Sequence, residues 1–190
     1  MLGKQAKILS DDNIRDLLAF TTLTRYPTRN RVIVLLSVKA GLRAGEIANL
    51  TWAMVTDPVG NIGPVIAVED RIAKKKSGRV ISVHHLADGL ATLRNMTGGY
   101  GPVIRSERGM PIAPKSVVNW FTIAYRAIGL TGCTSHSGRR TFVTRAARLV
   151  HKAGGSLRDV QILAGHRSIQ TTQAYIDGDT DAQRRLVALI

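Results

Sequence analysis

The 190-residue chain has a single cysteine, Cys133. No disulfide can form within it, and a reducing compartment fits. Long apolar runs are missing too: the longest, Val32–Val38, is closed by Lys39, far short of the roughly 20 residues that span a bilayer. The N-terminus lacks the charged, apolar and small-residue order of a signal peptide. A soluble cytoplasmic protein without a membrane partner is therefore expected. Internal repeats and low-complexity tracts are absent. Acidic residues are scarce: 13 Asp and Glu stand against 27 Lys and Arg, a net charge of +14. So basic a surface attracts a polyanion, nucleic acid first, because each neutralised phosphate releases condensed counterions.

What is present is ordinary for a globular protein, 44% apolar and 21% charged residues, enough for one sizeable core. The whole chain, 1–190, reads as a single domain, with a core over about 8–177 and a tail helix over 178–190. The expected class is mainly α with a small antiparallel β-sheet. Ser10 suits an N-cap, with Asp11 and Asp12 at the positive end of the helix it starts. Residues 28–40 are apolar enough for either a strand or a buried helix, and their length with Gly41 as a stop favours the helix. A short helix over 44–50 places Arg43 at its start and Glu46 within a turn of it, where the carboxylate can orient or neutralise the guanidinium. Two strands, 64–68 and 79–83, flank a turn holding Lys74, Lys75 and Lys76. Helices are expected over 86–96 and 115–128, the second burying Val117, Trp120, Phe121, Ala124 and Ile128.

The stretch from His136 to Tyr175 concentrates the chemistry. A helix from His136 to about Lys152 carries His136 and Arg139 on one face, with Arg140 rotated away. Ser156 and Asp159 resemble a capping box, opening a short helix that ends at Gly165, directly before His166. Ser168 can cap a last short helix that presents Tyr175. Cations gathered with one phenol suggest chemistry on a phosphate. A zinc set from Cys133, His136, His151 and His166 is disfavoured, since a dication beside Arg43 and Arg139 is repelled if the fold brings them together.

Taken together, Gly41-Leu42-Arg43-Ala44-Gly45-Glu46, Lys76-Ser77-Gly78, His136-Ser137-Gly138-Arg139, Leu163-Ala164-Gly165-His166 and Tyr175 resemble, in order, the boxes of the tyrosine recombinase (phage integrase) catalytic domain. The resemblance extends from about Ile8 to Tyr175. It implies that Arg43 and Arg139 hold a scissile phosphate, that Tyr175 is the nucleophile, that His136 is the base and that His166 donates to a phosphate oxygen. Lys76 becomes the donor to the leaving 5′-oxygen, with Lys75 as its rival. It implies a 3′-phosphotyrosyl intermediate with no metal, ATP or other cofactor. Glu46 is a supporting residue, and Lys74, Lys75, Arg79 and Arg140 are expected DNA contacts.

Double-stranded DNA is the implied partner, with self-association on it from dimer to tetramer, accessory DNA-bending proteins and a place at the nucleoid. Gly138 stands where the family usually has Leu, Arg140 where it more often has His, and Ala164 where it has Leu. Few residues precede the catalytic boxes, so no N-terminal core-binding domain is expected, as in short members such as the fimbrial-switch recombinases or in a fragment. The apolar end, Leu186-Val187-Ala188-Leu189-Ile190, is expected to dock, either on its own domain or on a neighbouring protomer. A DNA-binding regulator keeping the fold and a type IB topoisomerase-like relaxase are the alternative functions.

Overall fold

A computed structural model describes residues 6–74, 76–175, 187, 188 and 190. Lys75 and most of the expected tail lie outside the described residues. Two compact units divide the chain, one ending at Phe142 and the other starting at Val143; each is described by itself.

The first unit is helical around one hairpin. α1 (Asp11–Thr22) begins where Ser10 Oγ accepts from the Asn13 amide and the Asn13 side chain returns the bond to the Ser10 amide, so two otherwise orphaned donors are satisfied. α2 (Pro27–Val38) opens on a proline, whose missing N–H costs nothing there. Its residues Val32–Val38 are all buried, because α1, α4 and α3 pack around it. The resulting absence of a polar face makes its sequence look equally like a strand. α3 (Ala44–Asn49) and a 3₁₀ turn (Trp52–Met54) follow. β1 (Val65–Val68) and β2 (Arg79–Ser82) pair antiparallel, Ile66 opposite Ile81 and Val68 opposite Arg79. Ile66, Val68, Arg79 and Ile81 face inward, whereas Val65, Val80 and Ser82 are exposed. α4 (Ala87–Thr97) and α5 (Pro114–Ala127) complete the unit. α5 buries Val117, Phe121, Ala124 and Tyr125, with Phe121 stacked on Tyr125; Trp120 and Ile128 are only half-buried.

α6 (Ser137–Leu149) crosses the division. Its first turn packs against α2 at Gly138. A Cβ there would lie 2.2 Å from Ser37 Oγ, 3.0 Å from Ser37 Cβ and 3.1 Å from Val38 Cγ1. The glycine thus has a local cause: Ser37 already fills the space. Gly138→Ala is expected to destabilise the protein by about 1–3 kcal/mol through overpacking, with much of the loss recovered in Ser37→Gly/Gly138→Ala. Urea unfolding of the two variants checks this.

In the second unit, α6 runs into a 3₁₀ turn (Val150–Ala153). α7 (Leu157–Ala164) then opens on the expected Ser156–Asp159 capping box, and Gly165 caps its end. α8 (Ile169–Gln173) is capped by Ser168, whose Oγ accepts from the Thr171 amide. No helix among the described residues is long and apolar enough to cross a membrane.

Candidate active site

Arg43 is the N-cap of α3, and Glu46 is fixed in the first turn beside it. Glu46 Oε2 accepts from the Arg43 amide at 2.9 Å and Oε1 from Arg43 Nη1 at 2.7 Å. The sequence expectation for this pair is met. The same carboxylate also takes a fork from Arg79, Nη1 to Oε1 at 3.1 Å and Nη2 to Oε2 at 2.9 Å. Glu46 and Arg79 are both fully enclosed, each side chain 1% exposed. Burial alone would raise the Glu46 carboxyl, but hydrogen bonds and charge from Arg79 and Arg43 outweigh it and hold the group at about 2. Arg79 as a DNA contact is therefore corrected: it lies on the inward face of β2, engaged by Glu46, and has no exposed edge to offer a phosphate. The alternation that placed it inward was blurred in sequence because Val80, on the outer face, is as apolar as Ile81.

Arg43, Glu46, Lys74, Lys115, Ser135 and His136 line a cleft of about 390 Å³ in the first unit. Arg139, whose charge acts on His136, is 2% exposed and donates from Nη1 to the Gly41 carbonyl at 2.7 Å. Gly41 adopts φ +62°, and a Cβ on it would stand 2.4 Å from the Phe142 ring, so both backbone and space demand glycine. Ser137 Oγ accepts from the Thr134 amide at the start of α6. The first turn of α6 contains no acidic residue, and Arg139 and Arg140 lie in it. Guanidiniums at the positive end of a helix repel its exposed N–H groups. That arrangement favours an anion in the cleft. Burial, and then the charges of Arg139, Arg43 and Lys74, press the His136 imidazole below its usual 6.5, so it is neutral through more of the neutral range.

Lysine placement separates the hairpin candidates. Lys74 is on the cleft wall and acts on His136. Lys76 is exposed at φ +51° and is not among the residues that line the cleft; Lys75 lies outside the described residues. Gly78 and Ser77 tie the turn down, through the Gly78 amide to Asp70 Oδ1 at 2.8 Å and Ser77 Oγ to the Lys74 carbonyl at 2.9 Å. Lys115, a cleft cation that sequence reasoning passed over, follows Pro114 at the first turn of α5; a lysine directly after a helix-opening proline was the available signal. Arg140 is half-buried.

The second unit carries His166 and Tyr175. Their rings stack with centroids 5.2 Å apart and planes at 27°. His166 is 8% exposed, its Nδ1 is 3.0 Å from Thr172 Oγ1, and its carbonyl accepts from Gln161 Nε2 at 2.9 Å. Tyr175 is half-buried, and its carbonyl accepts from Thr144 Oγ1 at 3.4 Å. The α7–α8 turn thus fixes the imidazole and the phenol as a pair.

The family model described as the phage integrase family matches residues 7–181. The chain belongs to the phage integrase family. Among curated relatives, this integrase-family chain is 29% identical over 157 residues to the tyrosine recombinase XerC of Rhizobium meliloti (strain 1021), covering 80% of the chain and 46% of the relative. It is 31% identical over 180 residues to the XerC of Xylella fastidiosa (strain 9a5c), covering 92% and 57%. The integrase-family chain thus spans about half the length of the curated relatives it matches. Its fold is that of solved recombinases. The XerA recombinase matches with TM-score 0.75 at 23% identity, over 96% of this chain and 64% of that one. The XerH recombinase in a post-cleavage complex on palindromic difH substrate matches with TM-score 0.73 at 17% identity, over 96% and 52%.

Proposed function

We propose that the chain breaks and rejoins double-stranded DNA as a site-specific recombinase, through a 3′-phosphotyrosyl intermediate. The observation that carries this reading is the cleft lined by Arg43, Lys74 and neutral-leaning His136, with buried Arg139 in the first turn of α6 near enough for its charge to act on His136. Such a site suits a phosphodiester whose charge grows as phosphorus becomes five-coordinate. Guanidinium forks from Arg43 and Arg139 offset that charge better than point charges do. Tyr175 Oη attacks phosphorus and the bond from phosphorus to the 5′-oxygen breaks. His136 takes the phenol proton as the new bond forms. Lys74, favoured over Lys76 by its place on the cleft wall, protonates the departing 5′-oxygen. His166 donates to a phosphate oxygen. The bond energy stays in the phosphotyrosyl ester, so rejoining needs no ATP.

A lambda integrase has been solved as a dimer bound to a COC′ core site. Self-association on DNA is proposed here for this chain too, with Lys115 and Arg140 among its phosphate contacts. A duplex nicked beside the scissile phosphate tests the reading: the short 5′-hydroxyl strand diffuses away and traps the adduct. A denaturant-stable protein–DNA product is expected. Tight DNA binding with no adduct on cognate sites overturns the reading in favour of a regulator. The pH profile is a separate check. Because His136 serves as base only when neutral, and its pKa is pressed below 6.5, the rate at saturating DNA should hold steady from pH 8 down through 6.5 and fall only at lower pH, approaching roughly tenfold per pH unit. His136→Gln should remove this acid limb.

A further inference from the structure

We infer that Arg79 is a positioning residue for Arg43, acting through Glu46 as a buried counter-cation that leaves the charge of Arg43 for the phosphate. The inference rests on the DNA-cleaving reading above. Four hydrogen bonds converge on the Glu46 carboxylate, two from Arg43 and two from Arg79, which uses its full acceptor capacity. The carboxylate therefore carries one negative charge against two guanidiniums, and the trio is net cationic. Of the three, only Arg43 reaches the surface, its side chain 21% exposed against 1% for Glu46 and 1% for Arg79, and Arg43 lines the cleft. The unbalanced charge is consequently presented where Arg43 opens onto the cleft.

Without Arg79, Glu46 and Arg43 would form a closed one-to-one pair. The cleft would lose a unit of positive charge although no group touching it had changed. A fork also sets an angle, and a bidentate contact fixes the plane of the carboxylate, hence the plane in which Arg43 Nη1 is held. Arg79 begins β2, directly after the lysine turn. One carboxylate thereby joins the base of the hairpin that carries Lys74 to the start of α3 that carries Arg43. This coupling has no counterpart in a pair that merely stabilises a core.

The experiment uses the whole chain and the nicked duplex at saturating concentration, recording the rate constant and the final amplitude of adduct formation. Arg79→Met should lower the rate constant on the order of tenfold to a hundredfold and leave DNA affinity within about threefold, since Arg79 does not reach DNA. Arg79→Lys, which keeps the charge and loses the fork, should recover most of the charge effect and settle about threefold to tenfold below wild type. A rate constant unchanged in Arg79→Met, with only the amplitude reduced, overturns the inference, because a structural role changes the folded fraction and not the chemistry. If Arg79→Met does not fold, Arg79→Lys decides: a rate constant equal to wild type overturns the inference, and a threefold to tenfold drop at full amplitude supports it. Failure of the wild-type chain to form any adduct would instead sink the cleavage reading itself.

Discussion

Tyr175→Phe is expected to abolish covalent attachment to the nicked duplex, a loss on the order of 10⁴-fold or more. The substitution removes one oxygen and little else. The ring stays stacked on His166 at 5.2 Å, and the hydrogen bonds described for the residue run through its main chain, its amide donating to the Thr172 carbonyl and its carbonyl accepting from Thr144 Oγ1. Stability should therefore change by less than about 0.5 kcal/mol. The substitution leaves every Lys, Arg and His side chain in place, so DNA affinity should stay within about threefold. The decisive pattern is the combination of no adduct, wild-type melting and wild-type binding by gel shift. An adduct that persisted in Tyr175→Phe would move the nucleophile to another residue and break the assignment of the α7–α8 turn.

The second large effect falls on Glu46. Its carboxyl is held from 4.5 down to about 2 by Arg79 and Arg43, worth about 3 kcal/mol of folding free energy at neutral pH. The folded-state value is depressed, so this contribution is fully present above about pH 4.5 and is lost as pH falls toward 2. Roughly half or more of it should be gone at pH 3. Glu46→Leu should cost about 3–5 kcal/mol at pH 7, because it leaves the buried Arg79 guanidinium without its anion, and the gap to wild type should narrow at pH 3. Urea unfolding at the two pH values measures both numbers. A gap that does not narrow would mean that another group governs the acid limb.

Much of the fold was legible in the sequence because its local signals agree. Ser10, Ser156 and Ser168 each cap a helix where their neighbours say they should, and the hairpin strands sit within a residue or two of where β-branched residues cluster. α2 was the ambiguous case, and for a physical reason. A helix covered on all sides has no polar stripe, so its periodicity vanishes. In the site, the pairing of Arg43 with Glu46 could be read from spacing. The engagement of Arg79 by the same carboxylate could not, because it joins residues 33 apart in the chain. The hairpin lysine is the other shortfall. Lys74, Lys75 and Lys76 are equivalent in composition, and only the path of the turn decides which one borders the cleft.

The span Gly41-Leu42-Arg43 serves as a common datum for two arginines, Arg43 on the cleft wall and buried Arg139. Arg139 hangs from the Gly41 carbonyl at 2.7 Å, and Arg43 follows two peptide units later along the same backbone. Both guanidiniums are thus referred to one short stretch of backbone, Arg139 through its bond to the Gly41 carbonyl and Arg43 through its own main chain.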